Sequence, residues 1–266
     1  MARGDFEGFV VVVTGASTGL GRSIAVETAR RGAKAVVVNY ASNLVDAEET
    51  ARLCSAEGAE TVVVQGDVAD DAACRRIAQA AERFGRVDAL FNNAGMTRFA
   101  GHGDLDRVSA QDFLDIYAVN VIGAYQMTRA CRSLLEAGAR PGAVVMTSSI
   151  AGVVGIGSSI PYAASKGALN TMTISLARAL APMIRVNAVC PGFIDTPWFE
   201  RGLGAEGAAR ARANAAASAP LKIASTADDI AGAAVFLASP AAKSITGETL
   251  LVDAGTHLGF APMVAR

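Results

Sequence analysis

Short apolar runs alternate with segments of helical spacing along almost the whole chain, and this alternation decides the fold class. The runs predict seven strands, at residues 9–13, 35–39, 61–65, 87–91, 143–147, 184–190 and 248–252. The intervening segments predict helices at residues 22–31, 44–56, 71–84, 109–136 and 226–238, and another that carries Tyr162 and ends near Pro182. Strands and helices that alternate across short joints are typical of a parallel sheet covered on both faces. We therefore expect an α/β fold, a doubly wound parallel sheet of about seven strands in a single domain over residues 1–266.

Composition supports one domain and argues against several classes of partner. With 52% hydrophobic residues, the 266-residue chain can fill one large core. Its formal net charge is −1 and Lys and Arg form no cluster, so we expect no nucleic-acid partner. The four cysteines show no metal-ligand spacing and the two histidines are far apart, so we expect no metal site and the reduced thiols of a cytoplasmic protein.

Targeting and membrane segments are not expected either. Asp5 and Glu7 precede the first apolar run, without the basic start of a signal peptide. Residues 141–165 are uncharged and long enough to cross a bilayer, but their serines, glycines and Pro161 favour a buried strand followed by a loop.

A glycine-rich loop, Thr14 to Gly21, joins the first predicted strand directly to a helix. Gly15 permits a tight turn, Gly19 lets the backbone approach a pyrophosphate, and Gly21 allows close packing. The first turn of the helix presents amides to an anion. The pattern favours a dinucleotide site over the alternative, a glycine-rich turn that binds no ligand.

Two other strand ends are predicted to border the same crevice. After the third strand, Asp67 either hydrogen-bonds an adenine amino group or caps the next helix, and the residues alone leave both roles open. After the fourth strand, the small and amide side chains of residues 92–95 leave room for a flat ligand.

An acid/base pair is expected in the middle of the chain. Tyr162 and Lys166 are four residues apart in a predicted helix, so the phenol and the ammonium share one face. Stabilising a phenolate at neutral pH requires about 4 kcal/mol, which a cation about 4 Å away can supply. Ser148 and Ser149 end the fifth strand, where such sheets place ligand chemistry. The alternative is an ordinary amphipathic helix pair.

Asn120 lies inside a predicted helix, where asparagine lowers helix propensity. Its neighbours Val119, Val121 and Ile122 are apolar, which indicates a buried side chain with a specific partner rather than a solvated position.

Together these motifs resemble those of the short-chain dehydrogenase/reductase superfamily over residues 9–255, in particular its 3-oxoacyl-carrier-protein reductase-like and glucose dehydrogenase-like members. The resemblance implies a Rossmann-like sheet and a catalytic tetrad of Asn120, Ser149, Tyr162 and Lys166. Ser149 is preferred to Ser148 because the family's serine precedes an x-x-Gly step, which here ends at Gly152.

The resemblance also implies a set of cofactor contacts at loops and strand ends. These are Gly15, Ser17, Thr18, Gly19, Leu20, Gly21, Asn39, Tyr40, Asp67, Val68, Asn93, Ala94, Gly95, Tyr162, Lys166, Pro191, Gly192, Ile194 and Thr196. One departure is Ala254, where the family often has glycine, and this places the local turn geometry in question.

The implied activity is NAD(P)-dependent hydride transfer between nicotinamide and a carbonyl or secondary-alcohol substrate. Tyr162 would be the general acid/base, Ser149 would orient the carbonyl oxygen, and Lys166 would stabilise the phenolate and bind the ribose. Asn120 would hold a water that supplies protons. The alternatives are a dehydratase or epimerase, which usually needs a larger carboxy-terminal domain, and a non-catalytic nucleotide-binding sensor or scaffold.

NADP is favoured over NAD. In the family an acid at the end of the second strand selects NAD, and here that position is the neutral Asn39. The usual basic residue before the second loop glycine is replaced by Thr18. Hydroxyl and amide groups are expected to hold the phosphate instead, namely those of Ser17, Tyr40, Ser42 and Asn43. Arg22 or Lys34 is expected to reach the same region.

Residues 193–221 are expected to form a substrate-binding flap, because their composition shifts to Gly, Ala and Arg. Aromatic and aliphatic side chains there and in the loop before residue 107 offer surface for a small ketone or alcohol: Met96, Phe99, Trp198 and Phe199. The helices of Asn120 and Tyr162 are apolar on more than one face, and the family commonly associates through them, so we expect a homotetramer.

Overall fold

A computed structural model describes residues 4–259, so residues 1–3 and 260–266 of the predicted domain lie outside the described part. The strands are β1 Val10–Val13, β2 Ala35–Tyr40, β3 Glu60–Gln65, β4 Ala89–Asn92, β5 Gly142–Thr147, β6 Ile184–Pro191, β7 Ile194–Asp195, β8 Ser225–Thr226 and β9 Thr249–Val252. Seven of them form a parallel sheet in the order β3-β2-β1-β4-β5-β6-β9, which confirms the predicted fold class. The short strands β7 and β8 pair separately and were not predicted.

The helices follow the strands in the expected alternation. They are α1 Gly19–Arg30, α2 Leu44–Ala56, α3 Asp71–Gln79, α4 Ala110–Tyr117, α5 Ala124–Glu136, α6 Ala151–Val154, α7 Ile160–Leu180, α8 Pro197–Ser218 and α9 Ala227–Ala238. Within residues 4–259, no helix combines the length and apolar character needed to cross a bilayer.

The buried residues form two cores, one on each face of the sheet. Side chains alternate along a strand, so Val11 and Val13 of β1 pack with residues of α1, α2 and α9, whereas Val10 and Val12 pack with residues of α3, α5 and α7. This two-sided burial explains why the central strands are uninterrupted apolar runs.

The long helix predicted over residues 109–136 is present, but it is not a regular α-helix throughout. A π-helical segment, Ala118–Gly123, joins α4 to α5. The segment carries Asn120, whose side chain is buried and bonded to groups outside the helix. The wider turn presents this side chain to the interior of the protein, and π-helical turns are frequent at functional sites.

The end of a helix after β3 also differs from the prediction, and the turn after β9 answers the question raised by Ala254. The helix predicted over residues 71–84 ends at Gln79, and Glu82–Phe84 form a separate 3₁₀ turn. Ala254 lies in the left-handed region with φ of 55°, which costs a non-glycine residue about 1–2 kcal/mol. The turn after β9 thus keeps the geometry for which glycine is the usual residue.

The strand order reverses between β1 and β4, which leave the sheet with their connections on opposite faces. In open α/β sheets, ligands bind in the crevice beyond the carboxyl ends of the strands at such a switch point. The fold therefore places the glycine-rich loop after β1 and the loop after β4 on the two sides of one crevice.

Candidate active site

One continuous cleft of about 510 Å³ lies at the carboxyl ends of the strands. Most of the residues predicted to contact a cofactor line it, namely Gly15, Ser17, Thr18, Gly19, Leu20, Asn39, Asp67, Val68, Asn93, Ala94, Gly95, Tyr162, Lys166, Pro191, Gly192, Ile194 and Thr196. Ser149 lines it as well. The structure thus brings the glycine-rich loop and the predicted acid/base pair to the two ends of one cavity.

The glycine-rich loop is shaped as a cradle against the loop after β4. Gly15 and Gly19 have backbone φ angles of 60° and 56°, which residues with a side chain rarely adopt. A Cβ on Gly15 would lie 2.9 Å from the Cα of Ala94, and one on Gly19 would lie 3.4 Å from Cγ2 of Thr196. Backbone rather than side chain therefore faces the cavity, above the amino terminus of α1. These are the features that a dinucleotide pyrophosphate requires.

Asn93 fixes the other side of this cradle. Its Nδ2 donates to the carbonyl oxygens of Thr14 and Gly15, each at 3.1 Å. A Cβ on Gly21 would come within 2.3 Å of the Gly15 carbonyl oxygen, and Gly21 does not line the cleft. Its part is close packing beneath the loop, so its predicted cofactor contact is not seen.

Asn39 holds the end of β2 to the glycine-rich loop. Its Oδ1 accepts from the amide of Gly15 at 3.2 Å, and its Nδ2 donates to the carbonyl oxygens of Gly66 and Val64 at 3.0 and 3.3 Å. The side chain is neutral and buried, so it adds no carboxylate to this end of the cleft.

Three other residues considered for the phosphate of NADP lie differently from the prediction. Tyr40 is 7% exposed and packs in the core, so its side chain does not line the cleft. Lys34 precedes β2 and therefore lies at the amino ends of the strands, away from the cleft. Its ammonium is 6.0 Å from the ring centroid of Phe84. Arg22 is near the cleft, donating to the Ser17 carbonyl oxygen at 2.6 Å, and is paired with Asp46 at 3.1 Å.

Asp67 caps no helix. Asp70 is the cap of α3, accepting from the amides of Ala72 and Ala73, whereas Asp67 accepts only from Ala69 at 2.9 Å. Asp67 is exposed and lines the cleft beside Val68. The geometry leaves its second carboxylate oxygen free to accept from a ligand.

Tyr162 and Ser149 meet at the other end of the cleft. The Ser149 hydroxyl lines the cleft together with Tyr162 and donates to the carbonyl oxygen of Pro191 at 3.4 Å, whereas Ser148 donates to the carbonyl oxygen of Lys166 at 3.1 Å. Burial raises the pKa of Tyr162 to about 12, and the neighbouring Ser149 hydroxyl lowers it in part. The expected lowering of this pKa is not seen, and the phenol is protonated at neutral pH.

Lys166 is buried beneath Tyr162. Its ammonium donates to the carbonyl oxygen of Thr147 at 2.7 Å and lies 5.5 Å from the centroid of the Tyr162 ring. Burial lowers the pKa of Lys166 to about 8. At pH 7 the ammonium is therefore largely charged, although removing its proton is easier than in water.

Asn120 has the specific partners that its apolar neighbours indicate. Its Oδ1 accepts from the amide of Met96 at 2.8 Å, and its Nδ2 donates to the Met96 carbonyl oxygen and to Oγ of Ser165. A Cβ on Gly95 would lie 3.4 Å from Asn120 Oδ1 and 3.7 Å from Lys166 Nζ. A side chain at position 95 would therefore contact both the Asn120 amide and the Lys166 ammonium.

The region predicted as a flap contains β7 and α8, and its first turn covers the Tyr162 end of the cleft. Trp198 lies with its ring centroid 6.4 Å from that of Tyr162. Phe193 and Phe199 pack at 4.6 Å, and Phe99 meets Phe199 edge-on at 6.1 Å. At the Tyr162 end, the cleft is therefore lined by Trp198 and Phe199, with further aromatic rings packed behind Phe199.

Several cleft residues were not predicted as contacts: Ala41, Gly66, Val119, Thr147, Ser148, Pro197 and Arg201. Ala41, Gly66 and Ser148 directly follow a strand and Thr147 ends one, and that position is the signal that could have identified these four. Arg201 lies on α8, and nothing in its local sequence marks it. No group of described residues could hold a metal ion.

Comparison with known proteins supports one family. A family model described as enoyl-(acyl carrier protein) reductase matches residues 15–257. A Streptomyces violaceoruber protein assigned as ketoacyl reductase 2 of granaticin polyketide synthase is 40% identical, over 97% of this chain and 100% of its own. An L-rhamnose 1-dehydrogenase (NAD(P)(+)) of Azotobacter vinelandii is 37% identical, over 94% and 97% of the two chains. The crystal structure of a Burkholderia xenovorans protein assigned to the short-chain dehydrogenases/reductases is 41% identical, with a TM-score of 0.86 over 95% of this chain and 99% of that one.

Proposed function

The chain belongs to the short-chain dehydrogenase/reductase superfamily and is an NAD(P)-dependent oxidoreductase, and from this premise we propose that Tyr162 is its general acid/base in exchanging hydride with a ketone or secondary alcohol. The observation that carries the proposal is that Tyr162, Ser149 and Lys166 line the same cleft as the glycine-rich cradle, with the Lys166 ammonium 5.5 Å from the centroid of the Tyr162 ring.

The chain's own residues supply binding and proton transfer. The cradle at Gly15 and Gly19 and the amino terminus of α1 bind the pyrophosphate, and Asp67 accepts from the adenine amino group. The bound nicotinamide supplies or takes up the hydride.

In reduction, the protonated phenol of Tyr162 donates to the carbonyl oxygen, which Ser149 orients through its own hydroxyl. The Lys166 ammonium stabilises the phenolate that is left and binds the ribose hydroxyls. Asn120 donates both amide hydrogens to protein groups and its Oδ1 accepts from the amide of Met96, so the second lone pair of Oδ1 is the one that would accept from a water beside Lys166. That water would return a proton to the site.

The experiment for this function is a panel of ketones and secondary alcohols, read by the absorbance of the reduced nicotinamide. The two named relatives indicate 3-oxoacyl compounds and aldose sugars as the first members of the panel. Turnover of at least one compound is expected, and failure of every compound with both cofactors would contradict the proposal. The non-catalytic alternative would predict cofactor binding without any turnover.

NADP is the cofactor that we propose. Asn39 brings no carboxylate, and Ala41, Ser42 and Asn43 line the cleft at the amino terminus of α2, where helix amides favour an anion. Arg22 donates to the carbonyl oxygen of Ser17 and forms an ion pair with Asp46. We also propose that the enzyme is cytoplasmic, in keeping with its four buried free cysteines, and that it is a homotetramer.

The cofactor proposal predicts a smaller Kd for NADP than for NAD. Asn39→Asp tests it poorly, because the new carboxylate would face the Gly66 carbonyl oxygen and disturb the glycine-rich loop. Ser42→Asp places the charge at the exposed phosphate end instead, and should weaken NADP relative to NAD at least about tenfold by like-charge repulsion. Ser55→Asp, at the other end of α2, is the matched control. Tighter binding of NAD by the natural chain would contradict the proposal.

A further inference from the structure

Arg201 stands at the substrate end of the cleft. It lies on the first turns of α8, three residues after Trp198, so the two side chains share one face of the helix. Trp198 packs beside Tyr162, and both Trp198 and Arg201 line the cleft. Arg201 is thus an exposed residue that borders the cavity on the side of Tyr162, where the proposed carbonyl compound would lie.

Arg201 also differs from the other arginines of the same helix. Arg212 is paired with Asp195, and Arg210 is paired with Glu206 at 3.5 Å. No carboxylate of residues 4–259 lies within ion-pair distance of Arg201. Among the cleft residues, Lys166 is the other cation, and its ammonium is bound to the Thr147 carbonyl oxygen.

The aromatic rings around this end strengthen an interaction with Arg201. Trp198 and Phe199 line the cavity, with Phe99 and Phe193 packed against Phe199, and ionic hydrogen bonds are stronger beside apolar surface than in open water. A guanidinium presents a planar fork that matches carboxylate and phosphate oxygens.

We propose that Arg201 binds an anionic group, a carboxylate or a phosphate, carried by the carbonyl substrate. This inference rests on the proposed function, since it concerns the substrate of the same site. The cofactor pyrophosphate is the other anion in the cleft, but the glycine-rich cradle and the amino terminus of α1 provide for it. An anionic group on the substrate would orient its carbonyl toward Tyr162 by anchoring the opposite end of the molecule.

The test compares a 3-oxo carboxylate with its methyl ester, which has the same ketone and no charge. A 3-oxoacyl thioester of coenzyme A is the third compound, and its negative charge is carried by phosphate groups. The ratio of kcat/KM for each anion over the ester is measured in the natural chain, in Arg201→Gln and in Arg210→Gln. Arg210 is the matched control, because it lies on the same helix outside the cleft lining. The Kd of the cofactor is measured for each protein.

The natural chain should prefer at least one anion to the ester, and Arg201→Gln should reduce that ratio about tenfold or more, as loss of a charge-assisted contact does. Arg210→Gln should keep the ratio. A preference for the ester, or an equal ratio in Arg201→Gln and the natural chain, would overturn the inference and leave the proposed function standing. A tenfold weaker cofactor Kd with an unchanged ratio would assign Arg201 to the pyrophosphate instead. Failure of all three compounds in a protein that reduces other, uncharged ketones would also overturn it, whereas failure of every carbonyl compound would overturn the proposed function.

Discussion

At the scale of single residues, burial separates the titrations of Tyr162 and Lys166. The pKa of the phenol rises to about 12 and the pKa of the ammonium falls to about 8, so raising the pH neutralises the lysine first. Both groups are therefore protonated in neutral solution, which suits proton donation to a carbonyl. The four-residue spacing of Tyr162 and Lys166 was enough to predict that they share one face of a helix, whereas Ser149 was placed in the same site by the resemblance to the family. Most side-chain hydrogen bonds of Asn39 and Arg22 join groups at least 24 residues apart in the sequence. Local sequence patterns could not predict these hydrogen bonds, because they depend on the tertiary fold.

The lowered pKa of Lys166 predicts a pH dependence of stability. Between about 8 and the ordinary value of 10.5, the unfolded chain holds the lysine proton and the folded chain does not, so the free energy of unfolding rises with pH. The contribution is complete above 10.5 and is lost as the pH falls through 8. Tyr162 acts oppositely above 10, and the four buried cysteines, whose pKa values burial raises from 9.0 to about 11 or 12, act oppositely above 9. The lysine contribution between pH 8 and 10 is therefore read as the difference between the natural chain and a variant that keeps these groups.

Lys166→Met should remove this slope. Urea unfolding from pH 8 to 10 should show the natural chain gaining about 2–3 kcal/mol relative to the variant, since each pH unit contributes at most about 1.4 kcal/mol. Lys243→Met, at an exposed lysine, is the control and should run parallel to the natural chain. Parallel curves for Lys166→Met would mean that burial does not shift this group.

At the scale of elements, the parts that could not be predicted are those shaped by distant contacts. The π-helical segment at Asn120 depends on bonds to Met96 and Ser165, 24 and 45 residues away, so helical periodicity alone indicated one helix. Helix α8 lies within the predicted flap, but its bounds were not predicted. Its helical path is interrupted at Gly204, where φ is 70°. Its docking depends on Phe99, which lies in a loop nearly 100 residues earlier. A Cβ on Gly202 would lie 2.0 Å from Cε2 of Phe99.

This contact predicts that Gly202→Ala expels the Phe99 ring from its place on α8. The value of kcat/KM should fall several-fold, because the aromatic cover of the Tyr162 end is disturbed. Phe99→Ala should cause a similar loss, and adding Gly202→Ala to Phe99→Ala should change little further, since coupled residues are not additive. Gly232→Ala is the control, because a Cβ at that position would meet open space. Additive losses in the double variant would show that the two positions do not act through one contact.

At the scale of the whole molecule, alternation of strands and helices was sufficient to predict the sheet and its crevice, because parallel sheets require crossover helices. Assembly is a further question at this scale. Large apolar side chains of α4, α5 and α7 and of the π-helical segment remain exposed, among them Leu114 at 63%, Ile122 at 50%, Tyr125 at 45% and Ile174 at 41%. A contiguous exposed apolar surface is typical of a protein interface.

The tetramer proposal predicts a light-scattering mass of about four times the 27.1 kDa of the chain at micromolar concentration. Ile122→Glu should lower the mass, because it buries a charge if the helices associate. Val45→Glu is the control, since Val45 is 77% exposed on α2, away from these helices. A mass near 27.1 kDa for the natural chain would reject the tetramer.

The central claim, that Tyr162 transfers the proton in a cleft that binds the cofactor independently of it, is tested most directly by Tyr162→Phe. Turnover of the best substrate from the panel and the Kd of NADP should be measured on the same preparation. Turnover should fall by about 10²-fold or more, as loss of general acid/base catalysis does, while the Kd stays within about threefold, because the phenol faces the substrate. Lys166→Ala should impair both, since its ammonium is proposed to bind the ribose as well. A Tyr162→Phe variant that keeps more than about a tenth of the turnover would contradict the account.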